Sequence, residues 1–458
     1  MKDEPRAKAV RTGQGDPADQ LFEMRERIRR KDRLIGDLRD RLQVIKTRNA
    51  RLDEKARQAD GQPRPPADDA LDFFSRSMIE NAARLLAAHE RAGSPGYDLV
   101  IAHELRLSGY AGLRLASLSD ARMTMLDSVE HLRMSEKSSI RLRERATADP
   151  LGTSLLENML VDIAGRYDRV FTTSPGQSAT LRQAGIARDV GELLNCRTDV
   201  ADRPSDDLRS AVDARDGDVV IVYNNNAYEG AGLPECIRAL GHLPDHVKLV
   251  VLGNVYADIE DALDQLDGSA WRDRFATVDP VPQSRLLDVL AGADVAIIPF
   301  DGANANLRTS LPNRVFENIA AGNSMVAVSG TETGTFVGSN VVGTLSPSLD
   351  PRDLAEAIGK ELAIVGAGGR ADALADARSR FTWEREFEKV RSAMDGRGLK
   401  RVAYVACKDI SRNDRIRRSL ASLRNDGMEV TLYSYSPSDA QILSGIDGLR
   451  RLQLLRGE

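Results

Sequence analysis

The chain has 458 residues, of which 41% are hydrophobic and 29% charged, with a formal net charge of −5. That length exceeds one ordinary core and calls for two domains with additions, while the mildly acidic balance excludes a global basic field drawing it onto nucleic acid. Cys196, Cys236 and Cys407 stand far apart in no metal-ligand spacing, so neither disulfides nor a metal site is expected. No apolar run approaches the ~20 residues that cross a bilayer, and the first residues lack a secretion-signal core. The expected location is cytoplasmic, with at most peripheral membrane contact.

The first element is a heptad repeat over residues 18–58. Leu21, Ile28, Ile35, Leu42, Asn49 and Ala56 take one core position, and Met24, Lys31, Leu38, Ile45 and Leu52 the other. Isoleucine at the first position with leucine at the second favours a two-stranded parallel coil, and Asn49 would fix its register. The reading is a homodimeric coiled coil; the alternative is a single solvated helix with chance heptads. Residues 59–69 contain GQPRPPADD, which breaks the helix and forms a linker.

From residue 70 the pattern alternates short apolar strands with helices, which predicts parallel sheets wrapped by helices. A first Rossmann-like domain over 70–205 opens with a helix, Ala70–Arg91, followed by strands at Tyr97–His103, Ala121–Asp127, Asp168–Ser174 and Asp189–Asn195. A second, over 206–380, restarts at Asp218 with DVVIVYNNN and continues through KLVVLGN, RFATVDP, ADVAIIPF and SMVAVSG. Residues 381–398 read as a helix crossing back. In open α/β sheets ligands sit at the carboxyl ends of strands, which directs attention to Asn224–Gly232, Gly253, Asn254 and Asp301–Asn313.

The stretch SLPNRVFENIAAGNSMVAV, Ser310–Val328, is similar to the signature loop and helix of family 4 (group 1) retaining glycosyltransferases. In that family a glutamate follows Pro-Asn-basic-x-Phe and precedes Ala-Ala-Gly. YNNNAYEGAG, LLDVLAGADVAIIPF and FTWEREFEKV resemble it less specifically, as do VIAHE, LDSVEHL and FTTSPGQSATL in the first half. The resemblance spans roughly Tyr97–Val390. It implies an α/β protein of two Rossmann-like domains (GT-B). The implied reaction is metal-independent, retaining hexosyl transfer from a nucleotide-sugar substrate, with no cofactor. A saccharide, a lipid-linked or a protein acceptor would serve, and cell-envelope polysaccharide or glycoconjugate synthesis is the implied setting.

By the same resemblance, Glu317 accepts hydrogen bonds from the ribose hydroxyls of the donor. Thr309, Ser310, Leu311 and Asn313 lie on a loop whose N–H groups meet the diphosphate at a helix N-terminus, and Arg314 adds charge. Gly230 and Gly253 lie in the donor-side loops. His103 stands beside the transferred sugar, and Glu130 in the cleft loop. An ordinary helix-dipole carboxylate is the alternative for Glu317, and a hydrogen-bonded structural histidine the alternative for His103. The basic run Lys137–Arg145 faces either an acceptor, a membrane surface or solvent.

Three departures qualify the resemblance. Thr309 stands where the family usually carries a second acid, for which Asp301 is the candidate substitute and Arg308 a neighbour. The loop Asn224–Gly232 holds no lysine or arginine, although the family usually grips the diphosphate there. Finally, the opening strand, helix and strand of the first domain are missing before Tyr97 and reappear at 399–458: RVAYVAC, SRNDRIRRSLASLRNDG, MEVTLYSY and LRRLQLL. The expectation is a circular permutation in which 399–458 completes the first sheet, with Asp409 and Asn413 in a loop facing the donor. A truncated second unit or a swap between subunits are the alternatives. For function, the rival is a non-catalytic glycosyltransferase-like scaffold; a nucleotide-sugar epimerase ranks third, and no G-x-G-x-x-G supports a dehydrogenase.

Overall fold

Two all-parallel sheets organise the chain. The computed structural model describes residues 70–128, 150–186, 189–227, 230–255, 274–302, 305–411, 413–436 and 445–454, with isolated positions between them. The heptad segment, the linker, Glu130 and the run Lys137–Arg145 lie outside the described residues. Within them, no helix is long and apolar enough to cross a membrane.

The first sheet contains β1 (Leu99–His103), β2 (Met123–Ser128), β3 (Arg169–Thr172), β4 (Asp189–Glu192), β11 (Arg401–Ala406), β12 (Glu429–Ser434) and β13 (Arg450–Gln453), in the order β13-β12-β11-β1-β2-β3-β4. Strand β11 is therefore an interior strand, paired to the middle strand β1 with Leu99 beside Val402 and Ala102 beside Val405. The C-terminal segment completes the first sheet within its own chain. Its strands β11 and β12 are buried on both faces beyond their first residue, as interior parallel strands require, while edge strand β13 is partly exposed.

One face of this sheet is covered by α1 (Ala70–Arg91) and α2 (Tyr110–Leu118), through Leu85, Ala111, Leu115, Val100, Val405 and Tyr433. A buried hydroxyl network ties α1 to the C-terminal segment: His89 Nδ1 lies 3.1 Å from the Tyr433 hydroxyl, itself 2.8 Å from that of Tyr97. The other face is covered by the crossing helix α13 (Trp383–Met394) and by α14 (Asp414–Asn425). Thr382 caps the crossing helix by accepting from Arg385 N, and Trp383, fully buried, donates from its indole to Ser422 Oγ at 3.0 Å.

The second sheet runs β10-β9-β8-β5-β6-β7, from β5 (Val219–Tyr223), β6 (Val247–Leu252), β7 (Phe275–Val278), β8 (Val295–Ile298), β9 (Ser324–Val328) and β10 (Gly343–Ser346). Apolar cores fill both of its faces. Edge strand β10 was not anticipated, because GTLS carries no apolar run. Arg370 and Glu361, a buried ion pair at 2.8 Å, anchor it: Arg370 donates to the carbonyls of Val341 and Gly343, and Thr344 donates to Glu361.

Candidate functional site

The carboxyl ends of the two sheets meet around a cleft of about 600 Å3, part of it open to solvent. Its lining comes from β1 (His103), the end of the first sheet (Asn195, Arg197), helix α7 (Gln283–Leu290), helix α9 (Asn313–Ala321) and the start of α14. Helix α9 carries Asn313 and Glu317 into it, and α14 carries Asn413, Asp414, Arg415 and Arg418.

On the second-domain side, Glu317 sits on the first turns of α9, a helix whose Pro312 cap offers no side-chain acceptor. Asn224, at the end of β5, donates to Glu317 Oε2 at 3.2 Å while accepting from Asn318 Nδ2 at 3.0 Å. Burial pushes the Glu317 carboxyl above its ordinary range, opposed by the charges of Arg197, Arg314 and Arg418. The Arg314 guanidinium lies 4.9 Å over the Phe300 ring, within cation–π range. Burial lowers its proton affinity.

On the first-domain side, His103 is fully buried at the end of β1. Its Nδ1 lies 3.0 Å from Asp127 Oδ2, and its Nε2 lies 3.4 Å from Asn413 Nδ2. Asp127 is gripped by Arg415 through Nε at 2.9 Å and a terminal nitrogen at 2.6 Å. Burial pulls the imidazole below its ordinary range, and the partnership with Asp127 only partly restores it. For Asp127 burial works upward, but Arg415 and His103 hold the carboxyl well below the usual carboxylate range.

Polar contacts bridge the two domains. Ser174 donates to the Thr309 carbonyl at 2.5 Å, Asn195 donates to Asn313 Oδ1, and Arg197 donates to Gln283 Oε1 at 2.9 Å. Arg197 also grips Asp199, and Arg418 holds Asp414 at 2.7 Å and Asn195. Burial brings Arg418 down to about 10.

Of the residues expected from sequence, His103, Asn313, Glu317 and Asn413 line the cleft together. Thr309, Ser310 and Leu311 precede α9, but both hydroxyls bond back to α8 (Ala305–Thr309), to the carbonyls of Ala305 and Asn306, and Leu311 is core. Asp301 is exposed and outside the lining; Arg308, also exposed, donates to the Gly302 carbonyl at 3.1 Å. Asp409 accepts from Ser411 N and Ser436 Oγ, which shapes its own loop. Gly230 and Gly253 hold positive φ in loops beside Asn224–Asn226. The residues that sequence reasoning missed are Asn195, Arg197, Gln283, Asp414, Arg415 and Arg418.

No family model matches the chain. A D-inositol 3-phosphate glycosyltransferase from Xylanimonas cellulosilytica is 34% identical over 153 residues, 32% of this chain and 35% of that protein, so the chain spans about a third of this relative's length. Among solved structures, sucrose-phosphate synthase from Thermosynechococcus elongatus superposes with a TM-score of 0.55 at 18% identity, over 72% of this chain and 79% of that one. HepE from Anabaena, in complex with UDP, gives 0.51 at 18% identity over 69% and 81%. The E. coli trehalose-6-phosphate protein bound with UDP-2-fluoro glucose gives 0.51 at 12% identity over 72% and 86%.

The fold is GT-B. In a GT-B protein the two Rossmann-like sheets turn their carboxyl ends toward each other, and the cleft described above is that junction.

Proposed function

We propose that the chain is a glycosyltransferase that moves a sugar from a nucleotide-sugar donor to an acceptor in this cleft. One observation carries the reading. Glu317, oriented by Asn224 at the end of β5, faces a cleft that His103 lines from the opposite sheet. A carboxylate so placed can accept from both hydroxyls of a ribose, and the N-terminus of α9 beside it suits a diphosphate. The relative in Xylanimonas and the solved neighbours, two of which are named with UDP or a UDP sugar, support a nucleotide-sugar donor.

In this reading the reaction retains anomeric configuration and needs no metal. The acceptor oxygen bonds the anomeric carbon as the bond to the diphosphate breaks, and the acceptor proton passes to a diphosphate oxygen on the same face. The protein contributes positioning and charge stabilisation; Arg314, stacked over Phe300 and not among the cleft-lining residues, is the second-domain base we assign to the diphosphate. A cytoplasmic enzyme of envelope glycoconjugate synthesis, paired by its heptad segment, completes the proposal.

One observation favours a second reading, a non-catalytic scaffold of the same fold: the loop Asn224–Gly232 carries no base, while Arg197, Arg415 and Arg418 already hold carboxylates. Calorimetric titration of the full chain with UDP, GDP and ADP, repeated with Glu317→Ala, separates the two. Binding of one diphosphate that the variant loses supports the enzyme; no binding of any favours the scaffold.

A further inference from the structure

We infer that Asp127 and Arg415 are positioning residues that fix His103 as the tautomer protonated on Nδ1, so that Nε2 is the acceptor, engaged by the Asn413 amide at the cleft wall. The inference rests on the transferase reading only for what that acceptor does; the relay itself is a property of the folded chain.

The three residues come from three separate elements. His103 ends β1, Asp127 lies on the neighbouring strand β2, and Arg415 sits on the first turn of α14, far away in sequence. In-register pairing places His103 directly beside Asp127. Arg415 engages both carboxylate oxygens, through Nε and a terminal nitrogen. An ionised, doubly engaged carboxylate can only accept, so the hydrogen between Asp127 Oδ2 and His103 Nδ1 belongs to the histidine. On the far side, Asn413 points its amide nitrogen at Nε2, and an amide N–H is a donor. Both neighbours therefore demand the same tautomer.

The surroundings also oppose a second proton. His103 is solvent-inaccessible, it stacks on Tyr404 at 6.4 Å, and the positive charges of Lys408 and Arg415 both disfavour imidazolium. Asp127 favours it, but that carboxylate is already neutralised by Arg415. Backbone strain reinforces the placement. Glu104, the residue after His103, has φ +74°, and its N–H donates to the Asp127 carbonyl at 2.8 Å. A non-glycine residue held there is strained and persists only where its surroundings over-determine it. Asn413 both caps α14, accepting from Ile416 N at 3.1 Å, and touches His103. The C-terminal segment thus supplies two of the groups that set the histidine's state.

The test is long-range proton–nitrogen NMR on the full chain with labelled histidine. The five histidines are distinguished by comparison with His103→Gln. At pH 7 the His103 signals are expected to show a protonated Nδ1 and a bare Nε2. Asp127→Asn lets the amide donate to Nδ1, which moves the proton to Nε2; Arg415→Lys retains the wild-type tautomer. A wild-type His103 protonated on Nε2, or on both nitrogens, overturns the inference, as does an Asp127→Asn protein that keeps its proton on Nδ1. If Asp127→Asn fails to fold, the wild-type spectrum alone decides. Given a donor found by titration, Asp127→Asn should lower turnover by about 10²-fold with donor affinity changed less than about threefold. A correct tautomer without any donor binding would sink the transferase reading and leave the relay standing.

Discussion

Asn224 Nδ2 donates to Glu317 Oε2 at 3.2 Å, while Asn224's own amide oxygen accepts from Asn318 at 3.0 Å. One side chain at the tip of β5 thus takes its orientation from α9 and gives orientation to the carboxylate that the proposed ribose contact uses. Asn224→Ala should weaken nucleoside-diphosphate binding by about five- to tenfold, the worth of roughly one hydrogen bond. Asn224→Asp should weaken it further, because a second carboxylate beside Glu317 repels it and favours its protonation. Calorimetry on the two variants orders them, and equal affinities would show that Asn224 does not act through Glu317.

Glu317 also leaves a mark on stability. Burial raises its folded-state proton affinity above the ordinary value of 4.5. In the window from 4.5 upward to that raised value the folded state holds more protons than the unfolded chain, so stability falls as pH rises through it. Glu317→Gln removes this loss. The melting temperature of the variant relative to wild type should therefore increase between pH 4 and pH 7, even though ligand binding is lost. A constant difference across that range would mean the carboxylate carries no burial penalty.

The Asp127–Arg415 pair carries the opposite sign. Its carboxyl is held well below the unfolded value of 3.8, so its stabilising contribution is fully present above that value and is lost progressively as pH falls below it toward the depressed folded-state value. Arg415→Ala leaves a buried carboxylate without its partner, and at pH 7 should cost about 3–5 kcal/mol in urea unfolding. The cost should shrink as the buffer is taken from pH 5 toward pH 3. A pH-independent cost would assign it to lost packing of Arg415 against Trp383, which lies 5.8 Å away.

How much of this was legible beforehand follows from what each residue depends on. The strands announce themselves through apolar runs such as VAYVA and VVIVY, and the helix that bears Glu317 through a local motif. The strands and helix of 399–458 were readable too, but their place in the first sheet was one of three readings, since a second unit or a subunit swap would also bury the faces of a strand-helix-strand fragment. Arg415 and Arg418 were not readable. In RNDRIRRSL they look like a solvated charged face, and only Asp127 and Asn195, far off in the chain, show them to be buried. Asp301 shows the converse: its position at a strand end was readable, but not the placement of its side chain, which is exposed and outside the cleft lining.

Glycines in the donor-side loops make separable demands. Gly230 and Gly232 both lie at positive φ, +75° and +79°. A Cβ on Gly230 meets nothing within 4 Å, whereas on Gly232 it would stand 2.5 Å from the Pro299 carbonyl oxygen. Gly230→Ala should cost only the left-handed conformational term, about 1–2 kcal/mol. Gly232→Ala should cost more, since the backbone ahead of α6 (Leu233–Leu240) must also shift. Urea midpoints for the two variants decide it, and equal costs would remove the steric contribution.

The strand order makes the strongest demand on the chain as a whole. Strand β11 sits between β12 and β1, so removing 399–458 takes three strands from one side of β1 and strips the cover of α14 from the sheet. Val402, Tyr404, Val405, Ile416, Leu420, Leu423 and Leu432 are all buried within this segment. At about 1.5–3 kcal/mol for each large side chain, their loss matches or exceeds the roughly 5–15 kcal/mol that holds a domain folded. It also leaves β1 as a bare, aggregation-prone edge. Deleting 399–458 should therefore give insoluble protein or one without a cooperative transition. Moving the same residues in front of Ala70 through a flexible linker of about 10–15 residues should restore solubility and cooperative melting, since every strand keeps its neighbours. A deletion that melts cooperatively would show that 70–398 folds without β11, β12 and β13. A relocated segment that fails while the natural order succeeds would show that the crossing helix must deliver β11 covalently.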